Sequence, residues 1–414
     1  MAGAVIDHMI SLIIFLAVLL AFIGLFGETV QTAIMYQKHG YLATKCSDLL
    51  DNILLNPGSP SNETVHWGRS NCAITSFGLQ DPEFTEYRLS PFSLMRLQSS
   101  SEEIYYNNTW YNNASWGIEG AYLLVPKSEC INYSTATKLL GTNGTFGIQL
   151  EITPTLTFTI KEQAESPLEL AIQVDGQGIP LSNAPLTYLM FWTDTTSQEG
   201  KPILNLETGP LTTDPTGKAV WRNDTLGLTT ADNKTAYTFI VKASIGGLTG
   251  VNCKSRNAYI ENAGNIAPFI DNYEDGTILL AHNPKNNTSD NEALHFNATF
   301  YSLPDIFWPI PRLSNWTGLV NATGPDPTMQ IPVDARSAPG FLIVAYYSSS
   351  ENAFGMSIMP WGIGSVGVSV VFAENPFMPA NEWVAADIRQ VRVGDTAYQA
   401  KLLLWSLEGY EVVK

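Results

Sequence analysis

The chain has 414 residues, 45% hydrophobic and 11% aromatic, enough material for two or three packed domains. Its 39 acidic against 22 basic residues leave a formal charge of −17, which excludes a nucleic-acid-binding surface, because phosphate neutralisation needs clustered Lys and Arg. Only 15% of residues are charged, too few for a salt-adapted surface, so something other than charge must keep the exterior soluble.

The first element lies at the N-terminus. Met9–Gly27, MISLIIFLAVLLAFIGLFG, is a 19-residue run without a charge. At 1.5 Å per residue it spans roughly 28 Å, close to the ~30 Å of a hydrocarbon core. A cleaved secretory signal is the main alternative. It lacks a basic residue before the run, the first being Lys38, and no small-residue cleavage site follows. The helical pattern continues instead. From Glu28 to Leu55 there is no proline, and Val30, Ile34, Tyr41, Leu42, Cys46, Leu49, Leu50, Ile53 and Leu54 recur at helical steps. That stripe is expected to lie against the chain's own globular body. Gly40 weakens the middle by about 1 kcal/mol relative to Ala, and Asn56, Pro57 and Gly58 end the element. The spacing predicts one helix of some 50 residues, about 75 Å long, apolar all round in its first half and striped in its second.

This two-part helix resembles the N-terminal helix of type IV pilins and their archaeal relatives. The resemblance implies that the apolar half is held in the membrane and later packs in the core of a helical filament. The assembly residues it implies are Asp7, Ile10, Leu12, Ile13, Phe15, Leu19, Phe22, Phe26, Val30 and Ile34. Asp7 corresponds to the acidic residue that such pilins carry near the mature N-terminus, where a carboxylate pairs with the amine and complements the helix dipole. The alternative is that Asp7 and His8 simply sit at the membrane interface. One departure is the lack of the basic residues that the family's leader carries before its cleavage point. Two further stretches are similar to large archaeal pilin-like proteins. One follows the helix, with Trp67-Gly68, Phe77-Gly78-Leu79, Tyr87 and an amphipathic segment near Pro91–Leu97; the other is the C-terminal stretch.

Strands dominate from there on. Leu156–Ile160, Leu168–Val174, Leu186–Trp192, Ala219–Arg222 and Tyr237–Ser244 are short apolar or alternating runs between Gly, Pro, Asn and Asp turns, the pattern of a sandwich. Gly178–Ala184 and the Asp214–Gly217 turn resemble segments of bacterial and archaeal Ig-like or transthyretin-like modules. Phe341–Tyr347, Ala353–Met359 and Ser365–Phe372 read as core strands. Arg389–Val393 and Ala397–Trp405 flank a Gly394-Asp395 turn and read as a hairpin. The expected fold is therefore α+β: a long pilin-like helix (1–56), a β-rich domain in two parts (57–150 and 253–414), and an Ig-like sandwich inserted at 151–252.

Twelve N-x-S/T sequons follow residue 60, at Asn62, Asn107, Asn113, Asn132, Asn143, Asn223, Asn233, Asn286, Asn287, Asn297, Asn315 and Asn321. They are expected on the surface, as N-glycosylation sites or as Asn-rich turns, and place the body outside the cell. Cys46, Cys72, Cys130 and Cys253 allow two disulfides in an exported chain, with Cys46–Cys72 and Cys130–Cys253 the favoured pairing of three. Asp271, Glu274 and Asp275 are Ca²⁺ candidates in competition with a solvated acidic turn. Trp110 and Trp116, in a Tyr- and Asn-rich run, suggest a carbohydrate- or partner-binding face in competition with core packing. No G-x-S-x-G, H-E-x-x-H or phosphate-loop pattern occurs.

No catalysis and no resident cofactor are therefore expected. The reading is a structural or minor subunit of an extracellular filament, its partners copies of itself or other pilin-like subunits, the membrane before assembly, and surface glycans or other cells. The alternatives are a monomeric membrane-anchored binding protein and, behind it, a glycan-acting ectoenzyme with two carboxylates within about 10 Å.

Overall fold

A proline-free run lets the i→i−4 hydrogen-bond ladder continue unbroken, and in the computed structural model it does so from Ala2 to Leu55. These 54 residues form α1, about 81 Å long at the standard rise. Described are residues 2–60, 66–70, 73–84, 86–98, 103–113, 123–194, 201–223, 227–231, 235–256, 265–282, 292–302, 312–321, 326–350, 352–364, 366–372 and 383–407. The helix stops where expected. Asn56 Oδ1 accepts from the Gly58 N–H at 2.9 Å. Gly58 adopts φ +74°, where a Cβ would meet the Trp67 indole and the Ser76 carbonyl.

After α1 the chain pairs β1 (Ser59–Pro60) with β2 (Ile74–Ser76) and reaches β3 (Arg88–Leu89). Helix α2 (Pro91–Met95) follows, capped by the Ser90 hydroxyl, which accepts from the Ser93 N–H at 3.2 Å. Strands β4 (Glu103–Tyr106), β5 (Thr109–Asn113) and β6 (Leu124–Pro126) form a small antiparallel sheet. Helix α3 (Tyr133–Leu139), capped by Asn132, leads to β7 (Phe146–Pro154).

Then comes a sandwich. Its strands are β8 (Leu156–Glu165), β9 (Leu168–Gly176), the short β10 (Ile179–Pro180), β11 (Pro185–Asp194), β12 (Ile203–Thr212), β13 (Lys218–Arg222), β14 (Tyr237–Ile245) and β15 (Leu248–Arg256). One sheet pairs β8 and β13 with β9, and the other runs β12-β11-β14-β15. This is an immunoglobulin-like arrangement, and Ile172, Met190, Trp221, Tyr237 and Phe239 fill its core.

A second sandwich follows, which the strand pattern did not reveal. It comprises β16 (Ile266–Asn272), β17 (Thr277–His282), β18 (Leu294–Ser302), β19 (Arg312–Val320), β20 (Thr328–Gln330), β21 (Gly340–Ser348) and β22 (Ala353–Trp361). Its sheets, β16-β17-β20 and β19-β18-β21-β22, repeat the first topology apart from the short β10, which has no counterpart. The first five corresponding strands start 109 or 110 residues apart. It was hidden because β16, β17, β21 and β22 are covered on both faces along most of their length. All nine residues of β22 are buried, and β16 and β17 carry β4–β6 on their outer side through Ala267, Phe269, Leu279 and Ala281. Without a wet face there is no alternation to read.

The last strands are β23 (Val370–Phe372), β24 (Val384–Val393) and β25 (Thr396–Ser406). They complete a five-stranded sheet, β23-β7-β25-β24-β3. β7 and β23 are neighbours in this sheet, so both sandwiches are inserted between two paired strands. The expected insertion at 151–252 becomes two modules over 156–361, because 151–154 belongs to β7 and 253–256 to β15. The expected strand at Ser365–Phe372 reduces to β23, while the C-terminal hairpin is present. Sandwich one also turns Leu189, Phe191 and Ile240 outward into the main core. There the Phe191 ring lies 5.2 Å from Tyr301 and 6.0 Å from Phe341.

Candidate assembly face on the N-terminal helix

Two surfaces of α1 have opposite fates. Its C-terminal part lies on β24 and β25, burying Leu42, Cys46, Leu49, Leu50, Ile53 and Leu54. A polar clamp reinforces the contact. Arg389 on β24 donates from Nε to Asp51 Oδ1 at 3.1 Å, from Nη2 to Ser47 Oγ at 2.9 Å and from Nη1 to Asp387 Oδ1 at 2.6 Å. The Tyr87 hydroxyl donates to the same Asp51 oxygen at 3.0 Å. Burial alone would raise the Asp387 carboxyl; hydrogen bonds from Ser47, Arg389 and the Ile388 N–H outweigh it, and the group ends below its ordinary value. Sequence reasoning missed this clamp. Arg389 and Asp51 are 338 positions apart, and nothing local marks them as partners.

Among the described residues, nothing buries the N-terminal part. Fifteen large apolar side chains between Ile6 and Phe26 are 45–70% exposed. Among them are the expected assembly residues Ile10, Leu12, Ile13, Phe15, Leu19, Phe22 and Phe26. Phe15, Val18, Leu19, Phe22, Ile23 and Phe26 line an apolar groove along one side, and Asp7 is exposed at the start of the helix. At a conservative 1.5 kcal/mol each, leaving these fifteen in water costs on the order of 20 kcal/mol, more than the whole stability of an ordinary domain. This surface is built to be covered. It is also the one helix, among the described residues, long and apolar enough to cross a membrane.

The stripe expected to dock against the body divides at Leu42. Val30, Ile34 and Tyr41 do not dock: they are 40%, 49% and 60% exposed. The physical reason is angular. At 100° per residue their mean direction lies roughly 140° from that of the docked stripe, so a straight helix cannot seat both on one sheet. Val30 and Ile34 continue the bare apolar surface on the side opposite the docked stripe, and Tyr41 ends it with its ring 6.5 Å from Phe146. From Ile6 to Tyr41 that surface runs about 52 Å, against ~30 Å of hydrocarbon in a bilayer.

The remaining expected sites distribute unevenly. Asn107, Asn132, Asn143, Asn315 and Asn321 are exposed. Asn223 is not: it is only 8% exposed, and its Nδ2 donates to Glu207 Oε2. Asn297 is half-buried, with Nδ2 donating to the Pro202 carbonyl at 3.1 Å. Asn223 is tied to β12 within sandwich one and Asn297 to the chain just before β12 across the two modules, contacts that a surface-turn reading of the sequon overlooks. Asn113 lies on β5; Asn62, Asn233, Asn286 and Asn287 fall outside the described residues.

Among the described residues the favoured Cys130–Cys253 disulfide is absent. Cys46, Cys130 and Cys253 are buried free thiols. Cys46 Sγ lies 3.4 Å from the Leu402 carbonyl, on the sheet rather than on the following loop; Cys72 is outside the described residues. Burial pushes the Cys130 and Cys253 thiols up to about 12. Asp271, Glu274 and Asp275 surround a hairpin turn between β16 and β17 in which Asn272 Oδ1 accepts from the Asp275 N–H at 2.9 Å. Among the described residues no group of three His, Cys, Asp or Glu comes together as a metal site. Trp110 is 50% exposed and lies 4.9 Å from the ring of Tyr105, 52% exposed; Trp116 is outside the described residues.

No family model matches the chain, and no curated protein matches its sequence.

Proposed function

We propose that the chain is a structural or minor subunit of an archaeal type IV pilus-like extracellular filament. Its bare helix is held in the membrane and then bundles with copies of itself or with other pilin-like subunits, while the β modules decorate the outside for adhesion. The observation that carries this reading is the length and direction of the exposed apolar surface. An anchor needs about 20 residues, whereas here apolar side chains stay largely uncovered as far as Tyr41, Val30 and Ile34 on the side opposite the docked stripe. Only other helices can cover that extension once it leaves lipid.

A monomeric membrane-anchored binding protein is the second reading, because Ile6–Phe26 alone is sufficient as an anchor. Electron microscopy of material sheared from cells, with mass determination of the chain's mature N-terminus, separates the two. Thin fibres containing this chain, with a mature end just upstream of Asp7, are expected. Recovery only in detergent-extracted membranes, with no fibres, overturns the filament reading.

A further inference from the structure

Because the two sandwiches share one topology, their edge strands can be compared at equivalent positions. Among the described residues, β12 and β19 each end a four-stranded sheet. Each therefore offers a row of backbone N–H and C=O groups to any chain that approaches from the side. β12 interrupts that row with Pro210 and places Glu207 within it, two devices that make an edge a poor template. β19 has neither. It contains no proline, its only charge is Arg312 at the first position, and Leu319 is 48% exposed.

What β19 has instead is the sequon Asn315-Trp316-Thr317, placed mid-strand. Asn315 lies opposite Thr299, and Thr317 opposite Asn297. The two-residue period sends Asn315 and Thr317 to the same face, and both are exposed while Trp316 between them is not. A second sequon begins at exposed Asn321, directly after the strand. The other described sequon on the strands of this module, at Asn297, has its amide nitrogen bound to Pro202.

We propose that β19 is an edge protected by sugar: Asn315 carries an N-linked oligosaccharide that blocks pairing of this sheet with another chain. The donor would be an oligosaccharide on a lipid phosphate. The C1–O bond to that phosphate breaks as C1–Nδ2 forms, the amide nitrogen gives up one proton, and the phosphate leaves with the electron pair. The inference rests on the extracellular placement of the body in the proposed function.

The test begins with peptide mass spectrometry of the full-length protein from its own cells. The Asn315 peptide is expected to carry sugar mass and the buried Asn223 peptide none. Asn315→Gln and Thr317→Val, made separately in the full chain, should both lose the sugar. In detergent, which covers the helix, each should then at least double the weight-average mass by sedimentation. Thr317→Ser keeps the sequon and should stay as wild type. An unmodified Asn315 in the native protein, or sugar-free variants as dispersed as wild type, overturns the proposal. Protease added to intact cells separates the causes. A cleaved body with bare Asn315 defeats the shielded edge alone, and a protected body defeats the extracellular reading with it.

Discussion

Replacing Val30, Ile34 and Tyr41 together by Ser separates a filament core from an anchor. The three side chains are 40–60% exposed in the isolated chain, so covering what remains contributes roughly half of the 1.5–3 kcal/mol of a full burial, about 1 kcal/mol each. Losing about 3 kcal/mol per subunit raises the concentration needed for assembly on the order of 100-fold. Membrane retention should not change, because Ile6–Phe26 is untouched. The monomer should change little, since of the three only Tyr41 has a described ring neighbour, Phe146 at 6.5 Å. The assay counts sheared fibres and measures the pelleted fraction against subunit concentration, with membrane fractionation in parallel. Fibres formed at wild-type concentration would refute the assignment of this face to assembly. Joint loss of fibres and membrane association would show that the variant had failed earlier, at insertion.

Other outcomes follow from the same geometry. Leu50→Ala removes a fully buried side chain from the junction of α1 with the sheet and should cost 2–5 kcal/mol in urea unfolding. Arg389→Met leaves Asp51 and Asp387 without their shared cation and should cost about 1–2 kcal/mol, the discount from buried charge-assisted bonds reflecting partial exposure; hydrogen exchange should rise first in residues 42–55. Glu292 tests the pH dependence. Burial acts to raise its carboxyl, but bonds from the Ser350 hydroxyl and N–H, Ser348 and Ser349 outweigh it and bring the group down to about 2. A depressed carboxylate stabilises the fold above its unfolded value, so its contribution should be intact above pH ~4.5, fall away towards pH 2, and be absent from Glu292→Gln. With Cys130 and Cys253 reduced, adding dithiothreitol should leave the melting temperature unchanged, whereas loss of a 130–253 disulfide would remove about 2–5 kcal/mol.

The sequence alone determined whatever depends on neighbours along the chain. Absence of proline from Met9 to Leu55, and Asn56-Pro57-Gly58 after it, set the length of α1. Turn residues between apolar or alternating runs marked sandwich one and the C-terminal hairpin, where strands such as β8, β12, β13 and β24 have one face drier than the other. Tertiary structure decided the rest. It chose the side on which α1 docks, leaving Val30, Ile34 and Tyr41 bare, because the direction of a helical side chain acquires meaning only once a sheet is placed beside it. It buried Asn223, left Cys130 and Cys253 as free thiols, and brought Arg389 to Asp51 across 338 positions of sequence. It also hid a second sandwich, since periodicity records the boundary between apolar interior and water, and β16, β17, β21 and β22 have almost none.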